Sequence, residues 1–495
     1  MQAKCLHSVL LKEKNEMGVL SGLEPKSVFE FFEELCAIPH GSHNTKAISD
    51  YLVSFAEKRG LKYRQDELNN VIIWKDAVKG YEDVPVVMLQ GHMDMVCEKE
   101  KDCGKNMETE GLDIFVDGDL VGAHGTTLGG DDCIAVAMAM AILDSDDIEH
   151  GPLECVFTVD EEVGMTGAMA LDTSDLHAKY LLNLDSEEEK VFTVSCAGSS
   201  RVVCIFNTER ESFEGDAYAL KVSGLAGGHS GEEINKGRAN SNIVMGRALF
   251  ELSKSCDMRL VKVSGGAKEN AIPRESEAVI VLNDEAAAKK TVEELDTVLK
   301  NEYRATDSTI EVSLTKTQND AEPMTKECTQ KISCFLFSVP NGVQNMSAEV
   351  PGLVQTSTNL GVLSSEENSV KATFMVRSSV NSQRDEVNEK ISALAEVLGG
   401  AVEIPVSSSA WEYMENSKLR EYMIECFRNM YGEEPVVAAL HAGLECGVFS
   451  GKILGLDCIS FGPDLTDIHT PRERLHIASL QRVWQLTLDV LKTIR

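Results

Sequence analysis

Three short apolar runs in this 495-residue chain end directly in side chains that bind metals. In Val86-Val-Met-Leu-Gln-Gly-His-Met-Asp-Met-Val96 the run leads into His92 and Asp94, where an imidazole can ligate a cation and the carboxylate can orient its ring. Phe157-Thr-Val-Asp-Glu-Glu-Val-Gly164 delivers Asp160, Glu161 and Glu162 in succession, and Tyr180-Leu-Leu-Asn-Leu-Asp185 ends on Asp185 before the acidic run Glu187 to Glu189. Between them, Gly125-Thr-Thr-Leu-Gly-Gly-Asp-Asp132 sets Asp131 and Asp132 on a Gly-rich turn at a helix start. His469 follows a fourth apolar run, in Asp467-Ile-His-Thr-Pro-Arg-Glu-Arg474. Each stretch has a plain reading: an N-cap for one of the paired aspartates, a solvated acidic turn for 160–162, an inert loop imidazole for His469. Adjacent carboxylates repel, however, and a bound cation relieves that repulsion. Two histidines and several carboxylates from separate strand ends fit a mixed nitrogen and oxygen site for two divalent ions, in which one carboxylate must bridge. His40 and His43 could imitate a metal pair, but nothing else in their stretch supports it.

The elements that must position these groups read as an α/β sheet. Val86 to Gln90, Leu153 to Val159, Tyr180 to Leu184 and Cys458 to Phe461 have the composition of buried strands, and Ile134 to Leu143 that of a helix. In such sheets ligands bind just beyond the carboxyl ends of the strands, which is where these side chains fall. Helical spacing begins after Pro25, with residues 1–24 as an N-terminal extension, and a closing amphipathic helix covers Leu480 to Ile494. After Cys196 the texture changes to longer alternating strands, Tyr218 to Val222 and Ala278 to Leu282, around the helix Ser241 to Ser253. A second pass follows, with a helix at Thr329 to Phe337 and strands near Val354 to Leu360 and Val370 to Val376. The expected organisation is therefore a first domain in two parts, 25–197 and 401–495, with a second domain, 198–400, inserted between them.

Composition narrows the classes of function. Acidic residues outnumber basic ones by 80 to 47, and a formal charge of −33 repels a phosphate backbone, so nucleic acid is not an expected partner. No apolar run reaches the length of a membrane span and the opening stretch lacks an export signal. Fourteen cysteines scattered without a compact framework read as reduced thiols, and a cytoplasmic protein is expected.

At these residues the sequence resembles the M20 metallopeptidases, and within them the aminoacyl-histidine or cytosol non-specific dipeptidases, from about Pro25 to the C-terminus. Gly91-His-Met-Asp-Met-Val96, Gly125-Thr-Thr-Leu-Gly129, Leu182-Asn-Leu-Asp-Ser-Glu-Glu-Glu189, Gly227-Gly-His-Ser-Gly231, Asn270-Ala-Ile-Pro-Arg-Glu275 and His441-Ala-Gly-Leu-Glu-Cys-Gly447 carry the resemblance. It implies a mostly parallel-sheet zinc-peptidase catalytic domain with an inserted α+β lid. It also implies His92, Asp131, Glu162, Asp185 and His469 as ligands of two divalent ions, Zn²⁺ by family precedent with Mn²⁺ or Co²⁺ compatible, Asp131 bridging them. Glu161 is then the general base for a water between the ions, Asp94 steadies His92, and His229 stabilises the oxyanion from the lid. Substrate-binding roles follow for Asn270 and for Arg377 in Phe374-Met-Val-Arg-Ser378, although a structural ion pair is the competing reading of Arg377; His441 and Glu445 are further candidates. The expected substrates are unblocked dipeptides, Xaa-His and β-alanyl-histidine among them, and a homodimer is compatible with the family. Deacylase, carboxypeptidase or tripeptidase activity on the same metals, and a silent metal-binding scaffold, are the alternatives. Cys133 in place of glycine, Arg472 in place of an acid and His124 before the Gly-Thr-Thr turn depart from the family pattern without removing a ligand.

Overall fold

The computed structural model describes residues 18–495, so most of the expected N-terminal extension lies outside the described residues. The chain divides into two compact units, the first comprising residues up to Val194 with Met414–Ala438 and Val448–Arg495, the second Ser195–Tyr413 with Ala439–Gly447. The second unit thus runs on to Tyr413 and takes in the short segment Ala439–Gly447.

The first unit is built on an eight-stranded sheet in the order Lys62–Gln65, Val71–Lys75, Leu153–Thr158, Val87–His92, Tyr180–Asn183, Asp457–Ser460, Val191–Cys196 and Val436–Leu440. Leu153–Thr158, Val87–His92, Tyr180–Asn183 and Asp457–Ser460 pair in parallel, whereas Val71–Lys75 and Val191–Cys196 join this block antiparallel. Parallel pairing therefore runs through the four central strands. Each of the four central strands is buried along its whole length, as strands covered on both faces must be. Helix Gly130–Asp144 packs on the sheet through an almost wholly apolar sequence, GDDCIAVAMAMAILD, and nearly all of it is buried. Because the central strands run the same way, His92, the 160–162 turn, Asp185 and the chain leading to His469 emerge at one edge.

A buried ion pair ties down the segment that follows Asp185. Glu189, 3% exposed, accepts hydrogen bonds from Arg482 Nε at 2.5 Å and Nη2 at 2.6 Å and from the Tyr431 hydroxyl. Burial pushes its carboxyl up, but the Arg482 and Tyr431 hydrogen bonds outweigh burial and hold it below the usual range. Removing the acid strands a guanidinium that is only half-buried, so Glu189→Ala should cost about 2 kcal/mol, toward the low end for a broken pair, read as a fall of roughly 4–8 °C in melting temperature. A depressed carboxyl stabilises above its unfolded pKa of about 4.3. The wild-type advantage should hold at neutral pH and fade below that value, and an equal difference at pH 3 and pH 7 would contradict it.

The second unit carries a nine-stranded antiparallel sheet, ordered Glu311–Lys316, Asp216–Ser223, Ser276–Leu282, Met258–Gly265, Val354–Ser365, Ser369–Ser378, Gly198–Asn207 and Ala401–Ser407, with Gly342–Met346 added on Val354–Ser365. The order is one motif used twice in mirror sequence about the central pair. Helices Ser241–Ser255 and Glu285–Glu302 serve one half, Lys326–Ser338 and Asn381–Val397 the other. The weak repeat in the sequence thus corresponds to a real duplication. Phe335 and Phe374 meet edge to face in this unit's core, alongside Leu249 and Ile280.

Candidate metal centre

His92 closes its strand with its ring 1% exposed. Its Nδ1 lies 2.9 Å from the backbone carbonyl of Asp94, which can only accept, so the proton sits on Nδ1 and the lone pair of the neutral ring on Nε2. That Nε2 faces Asp131 Oδ1 at 3.0 Å and Asp185 Oδ1 at 3.6 Å. On the other side of the same carboxylate, Asp131 Oδ2 lies 3.1 Å from His469 Nε2, which is also 3.0 Å from Glu162 Oε1. A bare imidazole nitrogen against a carboxylate oxygen is repulsive unless a cation lies between them. Without an ion a proton takes that part: hydrogen bonds to Asp131 and Glu162 raise His469 to about 10. Burial, reinforced by the Asp131 charge, pushes Asp185 up to about 7 even though the His92 hydrogen bond pulls it down. Borderline nitrogen donors and hard carboxylates clustered around a shared carboxylate suit divalent ions of the zinc, manganese or cobalt type. His92, Asp131 and Glu162 offer donor atoms within 4.8 Å of one another, and so do His92, Asp132 and Asp185.

Asp132 was not singled out as a ligand. It is 1% exposed, and its Oδ2 accepts the His92 backbone N–H at 3.2 Å. Gly91 makes room for it, since a Cβ there would lie 2.5 Å from that oxygen. Neither aspartate caps the helix with its side chain. The acid that does is Glu473, buried and bonded to the amides of the 128–131 turn. Sequence reasoning missed it because an acid between Arg472 and Arg474 reads as a solvated surface residue.

Asp94 does more than steady His92. The closest support for the ring comes from the Asp94 carbonyl, whereas its carboxylate Oδ1 stands 3.6 Å from Nδ1. That oxygen accepts the backbone N–H of Glu161 at 3.1 Å, and Oδ2 accepts from Ser42 Oγ at 2.8 Å. Glu161 is thereby fixed at the backbone beside the cluster. Its neighbour Asp160 adopts a left-handed φ of 56°, and His469 one of 59°, uncommon for residues other than glycine and frequent at functional sites. The His43 ring sets Nδ1 3.2 Å from Asp160 Oδ2, and His40 Nδ1 bonds to the Ile38 carbonyl, so these two imidazoles do not form a pair. Of the three departures, Cys133 is buried with Sγ 3.7 Å from the Met93 carbonyl, His124 stacks on Phe115 and Arg472 is exposed beside Asp467.

The other candidates gather within the second unit. His229 pairs with Ala271 across the short Gly228–His229 and Ala271–Ile272 ladder. Its Nδ1 accepts the Glu232 N–H at 3.2 Å, which leaves Nε2–H as a donor. Burial, then the Arg377 charge, lower its pKa and keep it neutral. Asn270 is exposed at the base of this ladder, and its carbonyl accepts the Ser230 N–H. Arg377 is 9% exposed, and its Nε has no hydrogen-bond partner; among the described residues no carboxylate forms an ion pair with it. Ser357 is its partner in the ladder, and Ser357 Oγ lies 2.7 Å from His441 Nε2. Burial and Arg377 together lower His441 to about 3. Glu445 is fully buried at the start of helix Glu445–Lys452. The cysteines from Cys36 to Cys458 are free thiols, and among the described residues no helix is long and apolar enough to cross a membrane.

Comparisons with known proteins fit this geometry. The family model for peptidase family M20/M25/M40 matches residues 88–493. The chain is 34% identical over 482 residues to the cytosol non-specific dipeptidase of Escherichia coli strain K12, covering 97% of this chain and 99% of that protein. The crystal structure of an aminoacylhistidine dipeptidase from Vibrio alginolyticus superposes with a TM-score of 0.89 at 35% identity, over 97% of this chain and 99% of that one. An aminopeptidase PepT structure from Bacillus cereus shares the fold at a TM-score of 0.56 and 16% identity, over 95% of this chain and 99% of that one.

Proposed function

The chain belongs to peptidase family M20/M25/M40, and from that premise we propose that it is a two-metal dipeptidase acting on unblocked dipeptides, Xaa-His and β-alanyl-histidine among them. The observation that carries the reading is the Asp131 carboxylate, one oxygen turned to His92 and the other to His469. His92 and Asp185 would hold one ion, Glu162 and His469 the other, and Asp131 both. Two divalent cations there, Zn²⁺ by resemblance, would supply Lewis acidity and a coordinated water of lowered pKa.

Glu161 takes a proton from the attacking water and returns it to the leaving amine, a task for which the Asp94 carboxylate fixes its backbone. His229, with its proton held on Nε2, is assigned to the substrate oxygen as charge develops on it. Arg377 is assigned to the C-terminal carboxylate of the dipeptide, with Asn270 and His441 lining the same substrate surface; Glu445, fully buried, offers that surface no direct contact. A cytoplasmic location and activity on dipeptides accord with what the E. coli relative is called.

The experiment is hydrolysis of β-alanyl-histidine and a panel of ordinary dipeptides, before and after chelation and with Zn²⁺ or Mn²⁺ restored, each beside its N-acetyl form. Cleavage of free dipeptides that is lost to chelator, rescued by metal and absent on the acetylated substrates is expected. Equal cleavage of acetylated substrates would instead make the protein a deacylase or carboxypeptidase of the same family.

A further inference from the structure

Helix Gly130–Asp144 begins at the turn that carries Asp131, and the first amides of a helix have no partner within it. Here a distant acid satisfies them. Glu473 Oε2 accepts the N–H of Leu128 at 2.7 Å and of Gly129 at 3.1 Å, and Oε1 accepts those of Gly130 at 2.8 Å and Asp131 at 3.4 Å. Glu473 is 2% exposed and has no ion-pair partner among the described residues. The converging amides and the positive end of the helix are what balance its charge. The turn is shaped for this contact: Gly129 is left-handed at φ 66°, and a Cβ on Gly130 would come within 3.3 Å of Glu473 Oε1. At its other end Glu473 donates its N–H to the Thr470 carbonyl at 3.0 Å, closing the loop that presents His469.

We propose that Glu473 is a positioning residue that locks the Asp131 turn to the His469 loop, so that the ion held by Asp131, Glu162 and His469 enters a site already assembled. The inference rests on the ligand assignment above and adds to it the group that fixes two of the three donors relative to each other. A glutamate suits the task because four amides in a concave turn need an acceptor with lone pairs on both oxygens. Glutamine has the same shape but turns an NH₂ group toward two of those amides.

The test is titration of chelator-treated protein with Zn²⁺ against a competing chromogenic chelator, with visible spectra of the Co²⁺ form alongside. Wild type should take up two ions; failure to do so would overturn the ligand assignment itself. Glu473→Gln should weaken the binding step of the ion held by Glu162 and His469 about 10–100-fold, and the other, which shares Asp131 but keeps His92 and Asp185, by less. The Co²⁺ spectrum should change for the weakened site, and KM for β-alanyl-histidine at saturating metal should not. A variant that binds both ions like wild type, even with a lower melting temperature, would reduce Glu473 to a helix cap and overturn the proposal. The wild-type protein gives a second reading that requires no variant. In its metal-free form the amides of residues 128–131 should exchange with deuterium about 100-fold more slowly than those of an exposed loop; exchange at the loop rate would count against a preassembled site.

Discussion

Replacing Glu161 by alanine should lower kcat for β-alanyl-histidine by about 10²–10⁴-fold, the usual worth of a positioned general acid and base, while two metal ions remain bound. The second half of that expectation comes from geometry. The donor atoms that cluster tightly belong to His92, Asp131, Asp132, Glu162 and Asp185, with His469 against Asp131 and Glu162. Glu161 is outside those groups although it adjoins Glu162 in the chain. Its backbone is held by Asp94, a contact that the substitution leaves in place. Metal analysis and kcat measured on the same preparation decide the matter. Wild-type turnover at full metal occupancy would remove Glu161 from the reaction, and loss of metal would make it a ligand instead. Glu161→Asp should fall between, since a carboxylate withdrawn by one methylene still accepts a proton but from the wrong distance, and misplacement of about 1 Å alone can cost about 10²-fold.

Much of this site was legible in the sequence because the fold delivers it by a rule. Parallel strands share a direction, so polar residues at the ends of Val87–His92, Leu153–Thr158 and Tyr180–Asn183 meet at one sheet edge, and buried strands announce themselves as apolar runs. The edge strands did not follow the rule. Lys62–Gln65, at one edge of the first sheet, is exposed or half-exposed along its length and carries no apolar run to mark it as a strand. The groups that hold the ligands were less legible still. Ser42, Asp132 and Glu473 act through contacts with segments far away in sequence, and the chemistry of a buried carboxylate bonded to backbone amides is indistinguishable, residue by residue, from that of a surface acid. Asp94 shows the same limit from the other side: the H-x-D spacing sets it near His92 in the chain but says nothing of the hydrogen bond by which its carboxylate secures the Glu161 backbone.

Arg377→Ala should reduce kcat/KM for a free dipeptide by about 10²–10³-fold, corresponding to about 3–4 kcal/mol for a buried charge pair broken from one side, and should leave cleavage of the C-terminally amidated dipeptide nearly unchanged. An arginine 9% exposed and without an ion-pair partner among the described residues is an expensive thing to fold. Ser357 beside it is engaged with His441, and burial together with the Arg377 charge keeps that imidazole neutral, so neither of these two supplies a charge to balance the guanidinium. Burial accordingly lowers the Arg377 pKa, with Glu232 offering the modest opposing field. A substrate carboxylate would complete the pair with two parallel hydrogen bonds, a geometry that lysine cannot reproduce, so Arg377→Lys should recover little. The structural alternative, an arginine kept to brace the strand Ser369–Ser378, makes the opposite forecast for stability. If Arg377 binds substrate, removing an uncompensated charge should leave the substrate-free protein as stable as wild type or more so. A lowered melting temperature together with equal losses on free and amidated substrates would identify the brace; an unchanged or raised melting temperature with a loss confined to the free carboxylate would identify the anchor.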